Sequence, residues 1–476
     1  MSIELRPYQE KFIGDIRNEF AHGCRAVCGV MPCGAGKTVA TGWMAGETAR
    51  RGKRVVFMVH RRELIEQTSK TFTAMGIPHG LIASGVEPVY ELPVQIASVQ
   101  TLARRLGDNI CPDLIICDEC HHATASTYRS IMDTWPEAFV VGVTATPQRT
   151  DGKGLGDVFK AMVMGPTAMD LIEWGNLAPE VTYSLPTSSK INRSSFRKSH
   201  GDYVAVDVER AMMDANVFGD IVEHYQRLTP GRQAICYCIT RTYSHILAER
   251  FEAAGIHAGH VDCKTGRKDR EKAIDGFRNG DIKVLCNVDL FGEGFDVPAV
   301  GVVILARPTA SLILHIQQTM RSMRADPNEP GKRAVILDHV GNVKIHGLPE
   351  MDREWSLDDR KAKSSKPTPL KECPQCYLTV SAAIRTCPAC GYEWQQDDDE
   401  SEPIRQAKED TSVDLELYGS SETAKQQNYK KFMKKLRVQE MLKKAKTMQD
   451  LYNIAAFAGY KPGWAYYRAK AMGIRS

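Results

Sequence analysis

The segment that most constrains the fold runs from residue 26 to residue 38 and reads AVCGVMPCGAGKT. An apolar run ends at Met31, a turn follows, and Lys37 and Thr38 come directly after the turn. This order is typical of a buried strand, a phosphate-binding turn and the first residues of a helix. The backbone N–H groups of the turn and the helix N-terminus are therefore expected to bind a phosphate chain. The turn consists of Pro32, Cys33, Gly34, Ala35 and Gly36.

Two side chains of this segment have distinct expected roles. Lys37 would reach the β- and γ-phosphates of a nucleotide, and the hydroxyl of Thr38 would bind Mg²⁺. The strict phosphate-loop pattern has a glycine where this chain has Met31. From these residues alone, a glycine-rich turn with a surface lysine therefore stays open as the alternative.

A pair of carboxylates fits the same chemistry. Asp118 and Glu119 follow four apolar residues, which indicates that they lie at the end of a strand. A phosphate-loop enzyme uses one carboxylate to bind Mg²⁺ and another to orient or deprotonate the attacking water. We assign the first role to Asp118 and the second to Glu119. A solvated acidic pair at a strand end is the alternative.

Short apolar runs alternate with helical patterns over about the first 350 residues. This alternation predicts parallel sheets covered on both faces by helices. Two sets of strands, separated by a serine-rich stretch near residues 184–201, indicate two similar α/β lobes, residues 1–180 and 181–350. Polar clusters follow the strands at the edge where open α/β sheets bind ligands.

The second lobe contains a pair of arginines, Arg321 and Arg324. Because they are three residues apart, they are predicted to lie on one face of a helix. If the two lobes close over a nucleotide, these arginines can contact its γ-phosphate. A solvated basic helix face is the alternative.

Four of the fourteen cysteines form the pattern C-x₂-C-x₁₀-C-x₂-C, at Cys373, Cys376, Cys387 and Cys390. Two such pairs supply four thiolates for a tetrahedral Zn²⁺ ion, and a segment this small needs such a metal to fold. Two disulfides or a redox pair are the alternatives. The other ten cysteines are scattered, and the chain has no secretion signal, so we expect reduced thiols.

Beyond residue 350 the composition changes from one segment to the next. We predict a linker over 351–370, a zinc ribbon over 371–394, an acidic linker over 395–423 and a basic helical module over 424–476. The last module has thirteen lysines and arginines against two acidic residues, whereas the whole chain has a net charge of +4. Basic side chains such as Lys434 and Lys435 neutralise phosphates, and aromatic rings such as Trp464 stack on bases. A small helical bundle with its aromatic residues in the core is the alternative.

Eight motifs in a fixed order make the first 350 residues resemble the superfamily-two helicases of the DExH type. They are LRPYQ (5–9), GAGKT (34–38), VHRREL (59–64), SVQTL (98–102), DECH (118–121), TATP (144–147), GEGFDVP (292–298) and QQTMRSMR (317–324). The stretches LDHVGN and GYKPGWAYYRAK, with the cysteine module, resemble more narrowly the RadD-type helicases of bacteria and phages. The resemblance implies two RecA-like lobes. One position departs from the family pattern, because Met320 replaces the glycine that usually precedes the first arginine.

The resemblance also implies roles for single residues. Gln9 would read adenine, Thr144 and Thr146 would couple hydrolysis to lobe movement, and the second lobe would help to bind nucleotide through Asp296. The other residues that the motifs imply are Arg6 and Gly294 for nucleotide, Gln317 for coupling, and Arg61, Gln100, Thr101 and Thr240 for the nucleic-acid backbone.

We therefore expect an ATP-dependent DNA helicase or translocase of replication, recombination or repair, with ATP, Mg²⁺ and Zn²⁺ as cofactors. An RNA helicase, a double-strand translocase and a non-hydrolysing nucleic-acid scaffold are the alternatives. Single-stranded or branched DNA is the expected partner, a single-stranded-DNA-binding protein is a second candidate, and we expect a monomer on the substrate. No apolar run approaches the roughly 20 residues of a membrane span. The N-terminus has no signal core, so the cytoplasm of a bacterial or phage-infected cell is expected.

Overall fold

The computed structural model describes residues 4–358 except 108–109, 150–153, 185–195, 200–201, 206, 209–217, 289 and 291–296. Beyond residue 358 it describes 370–372, 379–381, 416–421 and parts of 438–469. The first lobe is built on β1 (Ala26–Val30), β2 (Val55–Val59), β3 (His79–Ile82), β4 (Val94–Ser98), β5 (Leu114–Asp118), β6 (Phe139–Thr144) and β7 (Ala161–Met164).

These seven strands form one parallel sheet in the order β3-β4-β2-β5-β6-β1-β7. Strands β2 and β5 are buried along their whole length, as expected for a parallel sheet with helices on both faces. Because all strands run the same way, the segments that follow β1, β2, β4, β5 and β6 meet at one edge. The helices of this lobe are α1 (Pro7–Ala21), α2 (Lys37–Arg50), α3 (Arg62–Ala74), α4 (Val99–Leu102), α5 (Ser126–Thr134) and α6 (Ala168–Glu173).

The second lobe contains another seven-stranded sheet and a short hairpin. The sheet strands are β8 (Glu180–Ser184), β11 (Ala234–Cys238), β12 (Ala258–Val261), β13 (Val284–Asn287), β14 (Val302–Ala306), β15 (Ala334–Asp338) and β18 (Glu416–Ser420). The hairpin is β9 (Lys198–Ser199) with β10 (Asp202–Tyr203). The helices are α7 (Phe218–Leu228), α8 (Arg241–Ala253), α9 (Arg267–Arg278), α10 (Leu312–Thr319) and α11 (Asn342–His346).

The second sheet has the order β12-β13-β11-β14-β15-β8-β18, and every pairing except that of β18 with β8 is parallel. The predicted two-lobe α/β fold is confirmed. Two further strands, β16 (Leu370–Glu372) and β17 (Thr379–Ser381), pair antiparallel and bracket the first two module cysteines in sequence. The remaining helix is α12 (Met448–Ala458).

Strand β18 lies inside the segment that the sequence suggests is an acidic linker, residues 395–423. Four of its five residues pair with β8, with a register shift between Leu417 and Gly419, and Ser421 accepts a hydrogen bond from the Glu180 N–H at 2.8 Å. The sequence around β18 is acidic, but the stretch Glu-Leu-Tyr-Gly-Ser within it forms a strand. This strand pairs with a sheet edge that would otherwise be open. The linker prediction is therefore wrong for residues 416–420.

The two lobes share buried apolar contacts. One core cluster joins Met31 and Leu177 to Ile316, Met320 and Met323 of the second lobe. Met320 and Met323 are 1% and 0% exposed. Full burial of a methionine side chain is worth about 1.5–3 kcal/mol, so these residues hold the end of α10 against the first lobe.

The chain also returns to the first lobe after α11. The Gly156 N–H donates a hydrogen bond to the Leu357 carbonyl at 2.8 Å, and a Cβ at Gly154 would lie 2.0 Å from the same oxygen. Only glycine therefore fits at residue 154 without a shift of the backbone. Among the described residues, no helix has both the length and the apolar character that a bilayer crossing requires.

A buried pair of carboxyl groups lies at the start of β8. Glu180 and Glu350 are each 1% exposed, and the Thr182 hydroxyl donates a hydrogen bond to Glu180 Oε2 at 2.5 Å. Burial, together with the neighbouring Glu350, raises the pKa of Glu180 to about 10 from an ordinary value of 4.5. Burial also raises the pKa of Glu350. Glu180 therefore keeps its proton at neutral pH in the folded state.

We predict that Glu180→Gln makes stability less dependent on pH. Above pH 4.5 the unfolded chain releases the Glu180 proton and the folded chain retains it, so the free energy of unfolding falls as pH rises toward about 10. The slope cannot exceed about 1.4 kcal/mol per pH unit for one group. Urea unfolding at about pH 6 and about pH 9 measures the difference. Glu87→Gln, at an exposed site, is the matched control; equal slopes for wild type and Glu180→Gln would contradict the assignment.

Candidate functional site

The turn between β1 and α2 has the backbone that its glycines permit. Gly34 and Gly36 have φ angles of +85° and +77°, which residues other than glycine rarely adopt. The Met31 N–H donates a hydrogen bond to the Thr144 carbonyl at 3.0 Å, which ties the start of the turn to the end of β6. Lys37 Nζ donates to the Met31 and Pro32 carbonyls at 3.3 and 3.4 Å. The lysine therefore lies over the turn, and Thr38 follows it in the first turn of α2.

The start of α1 supports the same turn from outside. Gln9 is 3% exposed, and its Nε2 donates to the carbonyls of Ala35 at 3.3 Å and Gly36 at 3.2 Å. Its Oε1 accepts from the Arg6 N–H at 2.9 Å. A Cβ on Gly36 would lie 2.5 Å from Gln9 Nε2. Gln9 thus fixes the shape of the turn in this conformation, and its proposed contact with adenine stays a prediction.

The predicted carboxylates lie at the end of β5, beside β6. Asp118 is 7% exposed, and its Oδ1 accepts a hydrogen bond from the Glu119 N–H at 3.1 Å. Glu119 is the non-glycine residue with positive φ, +49°, within the described part of the chain. Such a backbone costs on the order of 1–3 kcal/mol and is common at active sites. The Thr144 hydroxyl donates to Glu119 Oε2 at 3.3 Å, so the carboxylate points toward the end of β6.

The threonines after β6 form a compact turn. The Thr146 N–H donates to Thr144 Oγ1 at 3.1 Å, and both residues are fully buried. Gln317, the third residue with a predicted coupling role, lies in α10 of the other lobe and is 5% exposed. These hydrogen bonds join Glu119 to Thr144 and Thr146 within the first lobe.

The prediction that Arg321 and Arg324 share one helical face is wrong. Helix α10 ends at Thr319 with Met320 as its cap, and the chain turns through the arginines. The Arg321 N–H donates to the Gln318 carbonyl, an i−3 contact that tightens the last turn. Arg324 instead pairs with Leu177 in an isolated antiparallel bridge.

This turn brings Arg324 to the glycine turn of the first lobe. A Cβ built on Gly34 would lie 3.9 Å from Arg324 Cγ and 2.8 Å from Leu177 Cδ2. The Ala178 N–H donates to the Met323 carbonyl at 2.7 Å, and Lys332 Nζ donates to the Arg324 carbonyl at 2.9 Å. Burial lowers the pKa of Lys332 to about 8. The second lobe therefore places the Arg324 side chain beside the glycine turn of the first lobe.

Arg321 lies deeper and is 8% exposed. Its guanidinium interacts electrostatically with the phenol of Tyr237, which lies in β11. Burial raises the pKa of Tyr237, and the neighbouring Arg321 guanidinium opposes that rise, whereas Cys33 of the glycine turn adds to it. Tyr237 is 2% exposed and therefore stays neutral.

The residues with expected nucleic-acid contacts follow strands farther along the same edge. Arg61 follows β2, and its Nη1 donates to the Leu290 carbonyl of the second lobe at 3.4 Å. Gln100 and Thr101 lie in α4 after β4, and Gln100 is exposed. Thr240 follows β11 and caps α8 by accepting a hydrogen bond from the Tyr243 N–H at 3.2 Å.

Several predicted site residues lie outside the described part of the chain. They are Gly294, Asp296, Cys373, Cys376, Cys387, Cys390, Lys434, Lys435 and Trp464. Conversely, three residues that the sequence did not single out help to position the site: Leu177, Tyr237 and Lys332. They act through packing and burial, which leave no local motif in a sequence.

A cavity of about 90 Å³ lies beside the site. Its lining includes Pro32, Ala145, Met320 and Trp355. Ligand pockets usually measure roughly 300–1,000 Å³, so the cavity is too small for a nucleotide. It is a packing gap between the lobes.

Family models match both lobes and the cysteine module. Residues 2–149 match the Type III restriction enzyme res subunit, and residues 217–326 match the Helicase conserved C-terminal domain. Residues 371–396 match the Uncharacterised protein family UPF0547.

Three known proteins illustrate the relationships. A 51.5 kDa protein of Lactococcus phage (isolate 7-9) is 39% identical over 367 residues, which are 76% of this chain and 77% of that protein. IRC3 of Saccharomyces cerevisiae, named as a candidate ATP-dependent helicase, is 28% identical over 72% of this chain and 52% of its own length. A fragment of a candidate HsdR subunit of a type I restriction enzyme from Vibrio vulnificus YJ016 shares the fold, with a TM-score of 0.56, 22% identity and coverage of 72% of this chain and 67% of that one.

This chain spans about half the length of IRC3, so its relatives carry segments that it does not match. The matched model on the first lobe covers the glycine turn and the carboxylates, and the one on the second lobe covers the arginines. A restriction enzyme subunit model on the first lobe, a helicase C-terminal model on the second and a relative at 39% identity over most of both chains agree with that geometry. The chain belongs to the superfamily-two helicases, which hydrolyse ATP.

Proposed function

We propose that this protein couples ATP hydrolysis to movement along DNA, or to its unwinding, in replication, recombination or repair. The observation that carries the proposal is the approach of Arg324, from the second lobe, to Gly34 of the phosphate-binding turn. Lys37 and Glu119 lie in the first lobe, so a complete set of groups for phosphoryl transfer exists only when the lobes meet.

Each group has a chemical task in this proposal. The Thr38 hydroxyl and the Asp118 carboxylate are hard oxygen ligands of the kind that Mg²⁺ prefers. When bound, Mg·ATP supplies the phosphoryl group that is transferred to water. Glu119, held by its strained backbone and by Thr144, orients the attacking water and accepts its proton. Arg324 and Arg321 stabilise charge on the γ-phosphate, an effect worth about 10³–10⁵ in rate.

The nucleic acid would bind along the other half of the strand-end edge. In the first sheet β4 and β2 lie on one side of β5, and β6 and β1 lie on the other. Gln100, Thr101 and Arg61 therefore adjoin the carboxylates from the side opposite the phosphate-binding turn. Thr240 would extend the track onto the second lobe. Backbone phosphates are the expected target, since these side chains are hydrogen-bond donors or cations.

DNA is the proposed substrate in preference to RNA. The family model on the first lobe describes a restriction enzyme subunit, and so does the name of an Escherichia coli relative, the Type I restriction enzyme EcoAI endonuclease subunit, 25% identical. Restriction enzymes act on DNA, which favours the same substrate here. We also propose that the protein works as a monomer in a bacterial or phage-infected cytoplasm, with a single-stranded-DNA-binding protein as a second partner.

The cysteine module is proposed to hold a structural zinc ion. Cys373, Cys376, Cys387 and Cys390 supply four thiolates, which leave no open position for catalysis. We predict about one Zn²⁺ per chain by elemental analysis of protein purified without added metal. Cys387→Ala should lower that content to near zero, whereas Cys263→Ala, at an exposed cysteine elsewhere, should not. A wild-type protein free of zinc and with two disulfides by mass spectrometry would contradict the proposal.

The function is tested by measuring ATP hydrolysis and strand displacement on a panel of single-stranded DNA, forked DNA, Holliday junctions and RNA duplexes. We predict that DNA stimulates hydrolysis and that Glu119→Gln abolishes turnover while retaining ATP binding. Loss of the general base alone is expected to lower the rate about 10²–10⁴-fold.

Other results would redirect the proposal. Stronger stimulation by RNA than by DNA would identify an RNA helicase. Hydrolysis with triplex displacement but no unwinding would identify a double-strand translocase. Wild-type-like turnover by Glu119→Gln would refute the assigned base.

A further inference from the structure

Three histidine rings form a continuous row in the first lobe. The rings of His60 and His122 have centroids 4.7 Å apart, and those of His122 and His121 are 4.2 Å apart. His60 follows β2, whereas the other two follow β5, so the row crosses between neighbouring strand ends. His121 is 6% exposed, and the other two rings are half-buried.

One end of the row contacts the proposed general base. His121 Nδ1 lies 3.3 Å from Glu119 Oε2 and 3.2 Å from Thr144 Oγ1. Thr144 itself donates to the same Glu119 oxygen. A displacement of the His121 ring would therefore change the position of the carboxylate that orients the attacking water.

The other end contacts the proposed nucleic-acid track. Arg61 Nε donates to His60 Nε2 at 3.2 Å, and Gln100 Nε2 donates to the His60 carbonyl at 3.4 Å. Arg61 also reaches the Leu290 carbonyl of the second lobe. Arg61 and Gln100 thus bond to the ring and the carbonyl of His60. A nucleic-acid strand that moves these two side chains would therefore displace His60.

We propose that the row His60–His122–His121 is the packed connection through which a bound strand positions Glu119, with His122 as the positioning residue in its middle. The inference rests on the proposed function, since it needs a nucleic acid on Arg61 and Gln100. Ring packing carries the effect, because close-packed side chains transmit displacement with little slack. His122 lies between the ring that contacts Glu119 and the ring that contacts Arg61, so its proposed role is to link the two sites.

Two substitutions separate packing from other roles of His122. His122→Ala removes the ring and opens a gap between His60 and His121. His122→Phe keeps a ring of similar size. ATP hydrolysis is measured against the concentration of a single-stranded oligothymidylate, which gives the unstimulated rate, the stimulated kcat and the half-saturating concentration, and strand affinity is measured independently by fluorescence anisotropy.

The stimulated kcat is expected to change, whereas the unstimulated rate and the strand affinity are expected to stay the same. His122→Ala lowers the stimulated kcat about tenfold, within the roughly 5- to 150-fold range of couplings between sites. Its unstimulated rate and its affinity for the strand stay within about twofold of wild type. His122→Phe keeps most of the stimulation. His79→Ala, which removes a half-buried ring of the same lobe bonded to Ser69, is the matched control and should be stimulated normally.

A double-mutant cycle tests whether the row acts as a unit. His60→Ala should lower stimulation in the wild-type background and have little further effect in His122→Ala, because the connection is already broken. Full additivity of the two substitutions would contradict the proposal. So would wild-type stimulation of His122→Ala, an equal loss in His122→Phe, or a fall in the unstimulated rate that matches the fall in the stimulated rate.

Failure of this inference can be told apart from failure of the proposed function. If no nucleic acid stimulates the wild-type protein, the proposed function itself is wrong. If the wild type is stimulated and His122→Ala responds equally, only the histidine row is excluded.

Discussion

The contact on which the rest of the site depends is the packing of the second lobe's arginine turn against the glycine turn of the first. Neither lobe carries all of the proposed catalytic groups. Lys37, Asp118 and Glu119 come from the first lobe, and Arg321 and Arg324 come from the second. Two buried methionines, Met320 and Met323, hold the arginine turn in place through the apolar core that both lobes share. The apolar contact therefore stabilises the arrangement in which Arg321 and Arg324 lie beside the glycine turn.

The departure at Met320 becomes understandable in this context. A glycine at this position would leave the end of α10 without an apolar anchor. Here the methionine side chain packs into the first lobe and is 1% exposed, while the two arginines after it remain next to the turn. The hydrogen bond from Lys332 to the Arg324 carbonyl adds a second anchor from the far side. Packing thus anchors the arginine turn at a position where the family pattern has glycine.

The sequence predicts much of this arrangement because its motifs are local. A strand, a glycine turn and a lysine, or a strand followed by Asp118-Glu119, carry their geometry in consecutive residues. The helical placement of the arginines failed because α10 stops at Thr319 and Arg324 pairs with Leu177 of the first lobe, a tertiary contact that helix propensity does not encode. Strand β18 was missed for a similar reason, since an acidic segment becomes a strand only where the edge of β8 is open to it. The histidine row joins residues about 60 positions apart and has no signature that a single sequence can display.

We propose that the second lobe completes the active site of the first, and the substitution Arg324→Ala isolates its contribution. Single-turnover hydrolysis of ATP is measured with saturating DNA, and nucleotide affinity is measured separately with a fluorescent ATP analogue. We expect hydrolysis to fall about 10³-fold or more, as for loss of an arginine finger, with nucleotide affinity nearly unchanged and with Arg333→Ala, at an exposed site nearby, close to wild type. Hydrolysis by Arg324→Ala at the wild-type rate would contradict it, because the first lobe would then need nothing from the second.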